Sequence, residues 1–213
     1  IYYHPCEWVH LQFWDGVNFA RGQNPPREEW KAPPQRTPAE TDAAFRRFGQ
    51  YLDQIRSVRG VRFVTASDLP AMYPDLVRIR GATETEVDEL AGRILNGGSR
   101  GVDFQVIGRK AFSVADQFEL LTLITSERLE GRKARFPVIS RGLWGPDKAL
   151  PPSRSETRLS WPAFRSALTD VRGFIQTQQR VPARVFIGSE PVPPSDFLVA
   201  LASVHQWYLK NGC

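Results

Sequence analysis

Cysteine and methionine are scarce in this sequence, and long apolar runs are missing altogether. Two cysteines in 213 residues, Cys6 and Cys213, form neither a disulfide framework nor a CxxC zinc motif. No run approaches about 18 apolar residues, which excludes a transmembrane helix. The only methionine is Met72 and the first residue is Ile1. We therefore expect the chain to be a processed product or the C-terminal piece of a longer protein.

Lysine is also rare, and the basic residues form no continuous track. The sequence holds 5 lysines beside 23 arginines, with a formal net charge of +5. These cations are scattered rather than clustered among aromatic residues, which argues against a nucleic-acid partner. An apolar fraction of 41% and a charged fraction of 24% are typical of a globular protein.

The character of the sequence changes near Pro74, which predicts two parts, residues 1–75 and 76–213. In the first part, the patterns predict a strand at 1–3, a long ordered loop over 10–38 and another strand at 61–64. A helix is predicted from Thr37 or Thr41, because Phe45, Phe48 and Leu52 recur at helical spacing while Arg46 and Arg47 point outward. A short helix is predicted from Ser67 or Asp68.

In the second part, the sequence pattern predicts two short strands and several helices with clear start signals. Thr83 with Glu86 and Ser113 with Asp116 have capping-box spacing. Further helices are expected from Ser160 and from about Ser195, strands at 104–107 and 185–187, and a strand or linker at 76–79. Residues 106–108 match 186–188 at a spacing of 80, and Asp116 then matches Asp196. The pattern predicts a duplicated helix–strand–helix module.

A histidine follows the first predicted strand, with Pro5, Glu7 and Trp8 close behind it. Histidine side chains change protonation near neutral pH, so His4 at a strand end suits general acid–base catalysis. A lone histidine beside a proline is more often structural, so the pattern by itself leaves both roles open.

The run His4-Pro5-Cys6-Glu7-Trp8, with Arg62-Phe63-Val64-Thr65-Ala66-Ser67-Asp68-Leu69 after it, resembles the C-terminal part of polysaccharide deacetylases with the NodB-type (β/α) barrel. The resemblance covers about residues 1–75 and implies removal of acetyl groups from N-acetylated glycans. It implies that His4 protonates the leaving amine and that the complete enzyme uses a divalent metal, often zinc. The family's acidic pair and HxxxH ligand motif are absent from this sequence. No metal ligand is therefore predicted here, and the complementary half is expected upstream.

Side chains near His4 are candidates for contact with such a substrate. Glu7 belongs to the same motif, Trp8 and Trp14 carry flat faces that stack on sugar rings, and Asp15 has the chemistry to bind hydroxyl groups. Packing in a core or loop for the tryptophans, and a local turn bond for Asp15, remain open alternatives.

Residues 181–188, followed by 194–202, resemble the pseudomurein-binding repeat, which implies attachment to a cell-wall polymer. The predicted fold is therefore α/β: the last strand–helix units of a NodB-type barrel followed by a small α+β duplicated module. The predicted function is that of the C-terminal part of an extracellular or envelope-associated polysaccharide deacetylase-like protein. Its partner would be an N-acetylated polysaccharide or cell-wall glycan. The alternative is a non-catalytic glycan-binding or interaction protein.

Overall fold

Reciprocal capping boxes set the starts of three long helices in the computed structural model. The structure describes residues 3–4, 6–153 and 159–211. The Thr83 hydroxyl accepts from the Glu86 amide at 3.3 Å, and the Glu86 carboxylate accepts from the Thr83 amide at 2.8 Å. Ser113 and Asp116 form the second predicted box, which is confirmed. Because these bonds satisfy amides that the first helical turn leaves free, the starts are fixed by local sequence.

Contacts divide the chain into two units, residues 1–68 and 69–213. The first unit contains three helices within its described residues, together with three single 3₁₀ turns and a bridge between His10 and Gln35. The helices are α1 (Cys6–Val9), α2 (Trp14–Asn18) and α3 (Pro38–Ser57), and the 3₁₀ turns are Ala20–Gly22, Arg27–Glu29 and Ala66–Asp68. The predicted helix start at Thr37 is confirmed by a capping box with Glu40.

The predicted strand at 61–64 is wrong. These residues form no regular element, and Phe63 is half exposed with the Arg56 guanidinium 5.4 Å from its ring centre. Alternation marks a strand only where another strand supplies hydrogen bonds, and none does so in the described part of this unit. The predicted strand at 1–3 cannot be compared, because Ile1 and Tyr2 lie outside the described residues, as do Pro5 and Cys213. The loop predicted over 10–38 contains α2 and two of the 3₁₀ turns.

The second unit is built from helices and two β-hairpins. Its helices are α4 (Leu69–Met72), α5 (Leu76–Arg80), α6 (Glu84–Gly97), α7 (Val114–Leu129), α8 (Trp161–Gln178) and α9 (Pro194–Asn211), with a 3₁₀ turn at Ser99–Gly101. Its strands are β1 (Gln105–Ile107), β2 (Lys110–Phe112), β3 (Val185–Ile187) and β4 (Glu190–Val192). The strand or linker predicted at 76–79 is wrong, because the Asp75 carboxylate caps α5 by accepting from the Val77 and Arg78 amides.

The two hairpins have the same register and lie at a constant spacing in sequence. Gln105 pairs with Phe112 in the first hairpin, and Val185 pairs with Val192 in the second. Strand starts, strand ends and the following helix start all differ by 80 residues. Each hairpin also follows a long helix and precedes another. The unit therefore has a mixed helix and short-strand architecture with a repeated order of elements.

The core of the second unit is shared between its two halves. Helix α6 packs most extensively against α9, and α7 packs against both α8 and α9. Phe197 on α9 is fully buried, with its ring centre 6.2 Å from that of Phe118 and 5.5 Å from that of Phe164. Each half therefore covers apolar surface that the other half exposes.

The long connection between α7 and α8 is bonded to the first half of the second unit. Glu119 is fully buried on α7, where its carboxylate accepts from the Arg141 amide at 2.9 Å and from Arg141 Nε at 2.6 Å. Backbone bonds join Ala82 to Val138 in both directions. Gly81 has a φ of +69°, and a side chain there would meet the Val138 carbonyl at 2.8 Å. Glycine is therefore required for this close approach.

A buried histidine joins the first and last long helices of the second unit. His205 Nε2 lies 2.7 Å from Asp88 Oδ1, and its Nδ1 lies 3.1 Å from an Arg128 guanidinium nitrogen. Arg128 also pairs with Glu84. Burial lowers the pKa of His205, and this effect outweighs the opposing hydrogen bond with Asp88. The ring is therefore neutral in the folded protein at neutral pH, donating from Nε2 to Asp88 and accepting at Nδ1 from Arg128.

This link makes stability depend on pH in a defined direction. Because the pKa of His205 is lower in the folded state than in the unfolded state, the unfolded chain binds a proton first as pH falls below about 6.5. We expect the free energy of unfolding to fall with acidification from there, and the His205→Gln variant to show a shallower fall. Urea denaturation at a series of pH values measures both. Gln206→Ala is the control, because it removes the bond to the Asp88 carbonyl without removing a titrating group. An unchanged slope in His205→Gln would contradict the assignment.

Candidate functional site

An open groove lies between α1 and α3 in the first unit, and it contains two of the residues predicted to bind substrate. Trp8 on α1 packs on α3, with its ring centre 4.4 Å from that of Phe48 and 5.6 Å from that of Phe45. Tyr3 adds edge contacts to Phe48 and Tyr51 at 5.3 and 5.9 Å. The groove, named here the α1–α3 groove, has a volume of about 420 Å³ and is lined by Tyr3, Glu7, Trp8, Arg36, Ala44, Arg47, Phe48 and Tyr51.

Charged groups and a neutral phenol share this groove with the aromatic rings. Its lining has one carboxylate, Glu7, and two guanidinium groups, Arg36 and Arg47. A hydrogen bond with Tyr51 raises the pKa of Tyr3, so the Tyr3 phenol stays uncharged at neutral pH. Arg36 Nε is buried and has no acceptor among the described residues. The groove therefore offers aromatic faces, one acceptor group and several donors.

The structure separates His4 from the lining of this groove. His4 is exposed, its amide donates to Glu7 Oε1 at 3.4 Å, and its ring centre lies 5.0 Å from that of Phe13. Glu7 therefore contacts the backbone of His4, while the imidazole ring lies near Phe13. The predicted acid and two of the predicted substrate residues are neighbours in the fold without sharing one cavity.

Trp14 and Asp15 belong to a different part of the unit. Trp14 is half-buried and meets Trp30 edge-on, with ring centres 6.1 Å apart. Asp15 is exposed near the start of α2. Buried Asn18 anchors this region by donating to the Lys31 carbonyl at 3.0 Å and accepting from the Lys31 amide at 2.7 Å. In the described residues, Trp14 and Asp15 are thus held by loop packing outside the α1–α3 groove.

Sequence reasoning missed most of the α3 side of the groove. It predicted Arg47 on an outward face and gave no role to Arg36 or Tyr51. The available signal was the spacing of Arg47 and Tyr51, which are four residues apart and so share one face of α3. Arg36 carries no comparable signal, because its position depends on the bond from its amide to the Val9 carbonyl.

No group of three or more histidine, cysteine, aspartate or glutamate side chains in the described residues is arranged to hold a metal ion. Cys6 is a free, half-buried thiol. The side chains described here therefore do not fit the divalent metal that the sequence resemblance implies, and no chemical step of this chain is derived through it.

Three comparisons with known proteins found no similar protein. No family model, no curated protein and no solved structure matches the chain. Within the described residues, no helix is both long enough and apolar enough to cross a bilayer.

Proposed function

We propose that this chain is the C-terminal part of a polysaccharide deacetylase-like protein that acts on N-acetylated glycans outside the cell or in its envelope. The observation that carries the proposal is the α1–α3 groove, where Glu7 and Trp8 meet Arg36 and Arg47. Sugar rings present apolar C–H faces and hydroxyl edges at once, and a groove of aromatic faces, donors and one carboxylate complements both.

In this proposal, His4 supplies a proton and the groove holds the polymer beside it. Hydrolysis of the acetamide breaks the carbon–nitrogen bond, and the departing amine needs a proton at its nitrogen. His4 is exposed and followed at once by the helix that carries Glu7 and Trp8. The divalent metal, often zinc, would be held by residues outside those described here.

The second candidate function is non-catalytic binding of the same polymer by the second unit. Val106 and Phe186 occupy equivalent strand positions in the two hairpins and expose 60% and 53% of their surface. Their cross-strand partners, Ala111 and Pro191, are also apolar and exposed. A repeated outward apolar pair has no role in the core, which favours a contact surface for a repetitive polymer.

Binding of glycan by the full chain tests the proposal. We expect the chain to be retained on purified cell wall and on chitin, and to bind a soluble tetramer of N-acetylglucosamine in calorimetry. Arg47→Ala should weaken binding of the tetramer by roughly 10-fold, because it removes a guanidinium donor from the α1–α3 groove.

Arg46→Ala is the matched control, since Arg46 is the neighbouring exposed arginine and does not line the groove. Equal affinity of the two variants would remove the α1–α3 groove from the proposal. Absence of any binding by the folded wild-type chain would refute glycan recognition as a whole.

A further inference from the structure

A second groove, in the second unit, has two tryptophans in its lining. It lies between the first turn of α8 and the last turns of α9 and has a volume of about 620 Å³, lined by Trp161, Ser203, Val204, Trp207 and Tyr208. The two indole ring centres are 6.3 Å apart with an angle of 53° between their planes. We refer to these five residues as the aromatic groove.

The tryptophans of the aromatic groove are held in place but not covered. Trp161 stacks on the buried ring of Phe164, at 5.8 Å and 16°, while Tyr208 meets Trp207 edge-on at 5.2 Å. Even so, Trp161 and Trp207 expose 43% and 51% of their surface. The hydrogen bonds described around the groove, from Ser203 Oγ to the Val199 carbonyl and from Asn211 Nδ2 to the Trp207 carbonyl, involve neither indole N–H. Two fixed aromatic faces and two donors are therefore available to a ligand.

The lining of the aromatic groove defines the chemistry of its ligand. None of the five described lining residues is charged, so the described part of the groove has no group to pair with an ionic ligand. Its volume lies in the range of about 300–1,000 Å³ that is typical of small-ligand sites. The groove therefore suits a neutral, compact ligand with apolar faces and acceptor oxygens at its edge.

We propose that the aromatic groove is a subsite for one N-acetylated hexosamine unit of a glycan, a proposal that rests on the glycan-directed function above. The apolar face of the pyranose ring stacks on one indole, and the acetyl methyl group contacts the other. The acetyl carbonyl and ring hydroxyls accept from the indole N–H groups. Removal of the acetyl group leaves a charged ammonium group beside described lining residues that carry no counter-charge, so the subsite selects N-acetylated over deacetylated sugar.

Calorimetry on the full chain tests this subsite with the N-acetylglucosamine tetramer and the fully deacetylated glucosamine tetramer as probes. We expect the acetylated probe to bind at least 10-fold more tightly than the deacetylated one. Trp207→Ala and Trp161→Ala should each weaken binding of the acetylated probe at least 10-fold, through loss of one stacking face. Trp144→Ala is the matched control, because Trp144 exposes 73% of its surface and lies outside the groove.

A second variant keeps the test independent of aromatic packing. Ser203 is exposed, and its hydroxyl donates to the Val199 carbonyl, so Ser203→Gln should fill the aromatic groove without disturbing either tryptophan. It should weaken binding as the tryptophan variants do.

Two outcomes would overturn the subsite. Wild-type affinity in all three groove variants, with Arg47→Ala still weakened, would refute the aromatic groove and leave the proposed function standing. Loss of self-association in these variants by sedimentation, without any change in affinity for the tetramer, would assign the groove to a second copy of the chain.

Discussion

The Phe197→Ala variant should lose about 3–5 kcal/mol of unfolding free energy in the second unit. The Phe197 ring is fully buried and touches Phe118 on α7 and Phe164 on α8, so its removal leaves a cavity that three helices border. Large-to-small changes in such positions cost this amount, because the cavity adds to the lost transfer free energy. The total free energy of unfolding of a typical domain is only about 5–15 kcal/mol. The urea midpoint should therefore fall sharply while the slope of the transition stays constant.

Phe186→Ala is the control for this prediction, since it removes the same side chain from a position that is 53% exposed. We expect it to cost less than about 0.5 kcal/mol. Equal losses in the two variants would mean that the α7, α8 and α9 contacts at Phe197 are not the centre of the core.

The His4→Ala variant should lower deacetylation by roughly 10²–10⁴-fold, which is the usual contribution of a general acid. The measurement requires the protein in which this chain is accompanied by the metal-binding part of the proposed barrel. An acetamide is expelled as an amine, a poor leaving group that needs a proton while the carbon–nitrogen bond breaks. The effect should therefore be largest on an N-acetylated oligosaccharide and much smaller on 4-nitrophenyl acetate, whose leaving group departs without a proton.

This difference between substrates distinguishes a proton donor from a residue that only shapes the motif. A structural role for His4 would reduce turnover of both substrates alike. His10→Gln provides the matched control, because the His10 ring, just after α1, contacts the Cys6 carbonyl of that helix, and activity should stay within about twofold of wild type. Unchanged deacetylation in His4→Ala would remove His4 from the mechanism.

Helix starts and the strands near Gln105–Ile107 and Val185–Ile187 were predictable from sequence because they depend on residues close together in the chain. The bonds between Thr83 and Glu86, for example, lie within four successive positions, 83–86. The partner strands in the two hairpins, Lys110–Phe112 and Glu190–Val192, were not predicted. The strand predicted at 61–64 fails for the converse reason, since alternation describes a side-chain pattern and not the presence of a partner strand. The helix Leu76–Arg80 was missed because its signal is one side chain, Asp75, outside the apolar run.

The α1–α3 groove was predictable only in part for a related physical reason. Glu7 and Trp8 share a short motif, so their proximity follows from the sequence itself. Arg36 and Tyr51 reach the same groove through packing of α3 against α1 and through a backbone bond from residue 36 to residue 9. Such long-range contacts depend on the whole unit and have no local pattern. The NodB-type barrel and the duplication of the second module stay predictions.

The packing of α6 against α9 has a consequence for synthesis of the protein. The ribosome releases α6 long before α9, and the link between Asp88 and His205 joins residues 117 positions apart. Closing so long a loop costs conformational entropy, and this cost is offset only when the complete core has formed. The first hairpin and its two helices therefore emerge with apolar surface that no earlier segment of the second unit covers. That apolar surface stays uncovered until the last helix emerges from the ribosome.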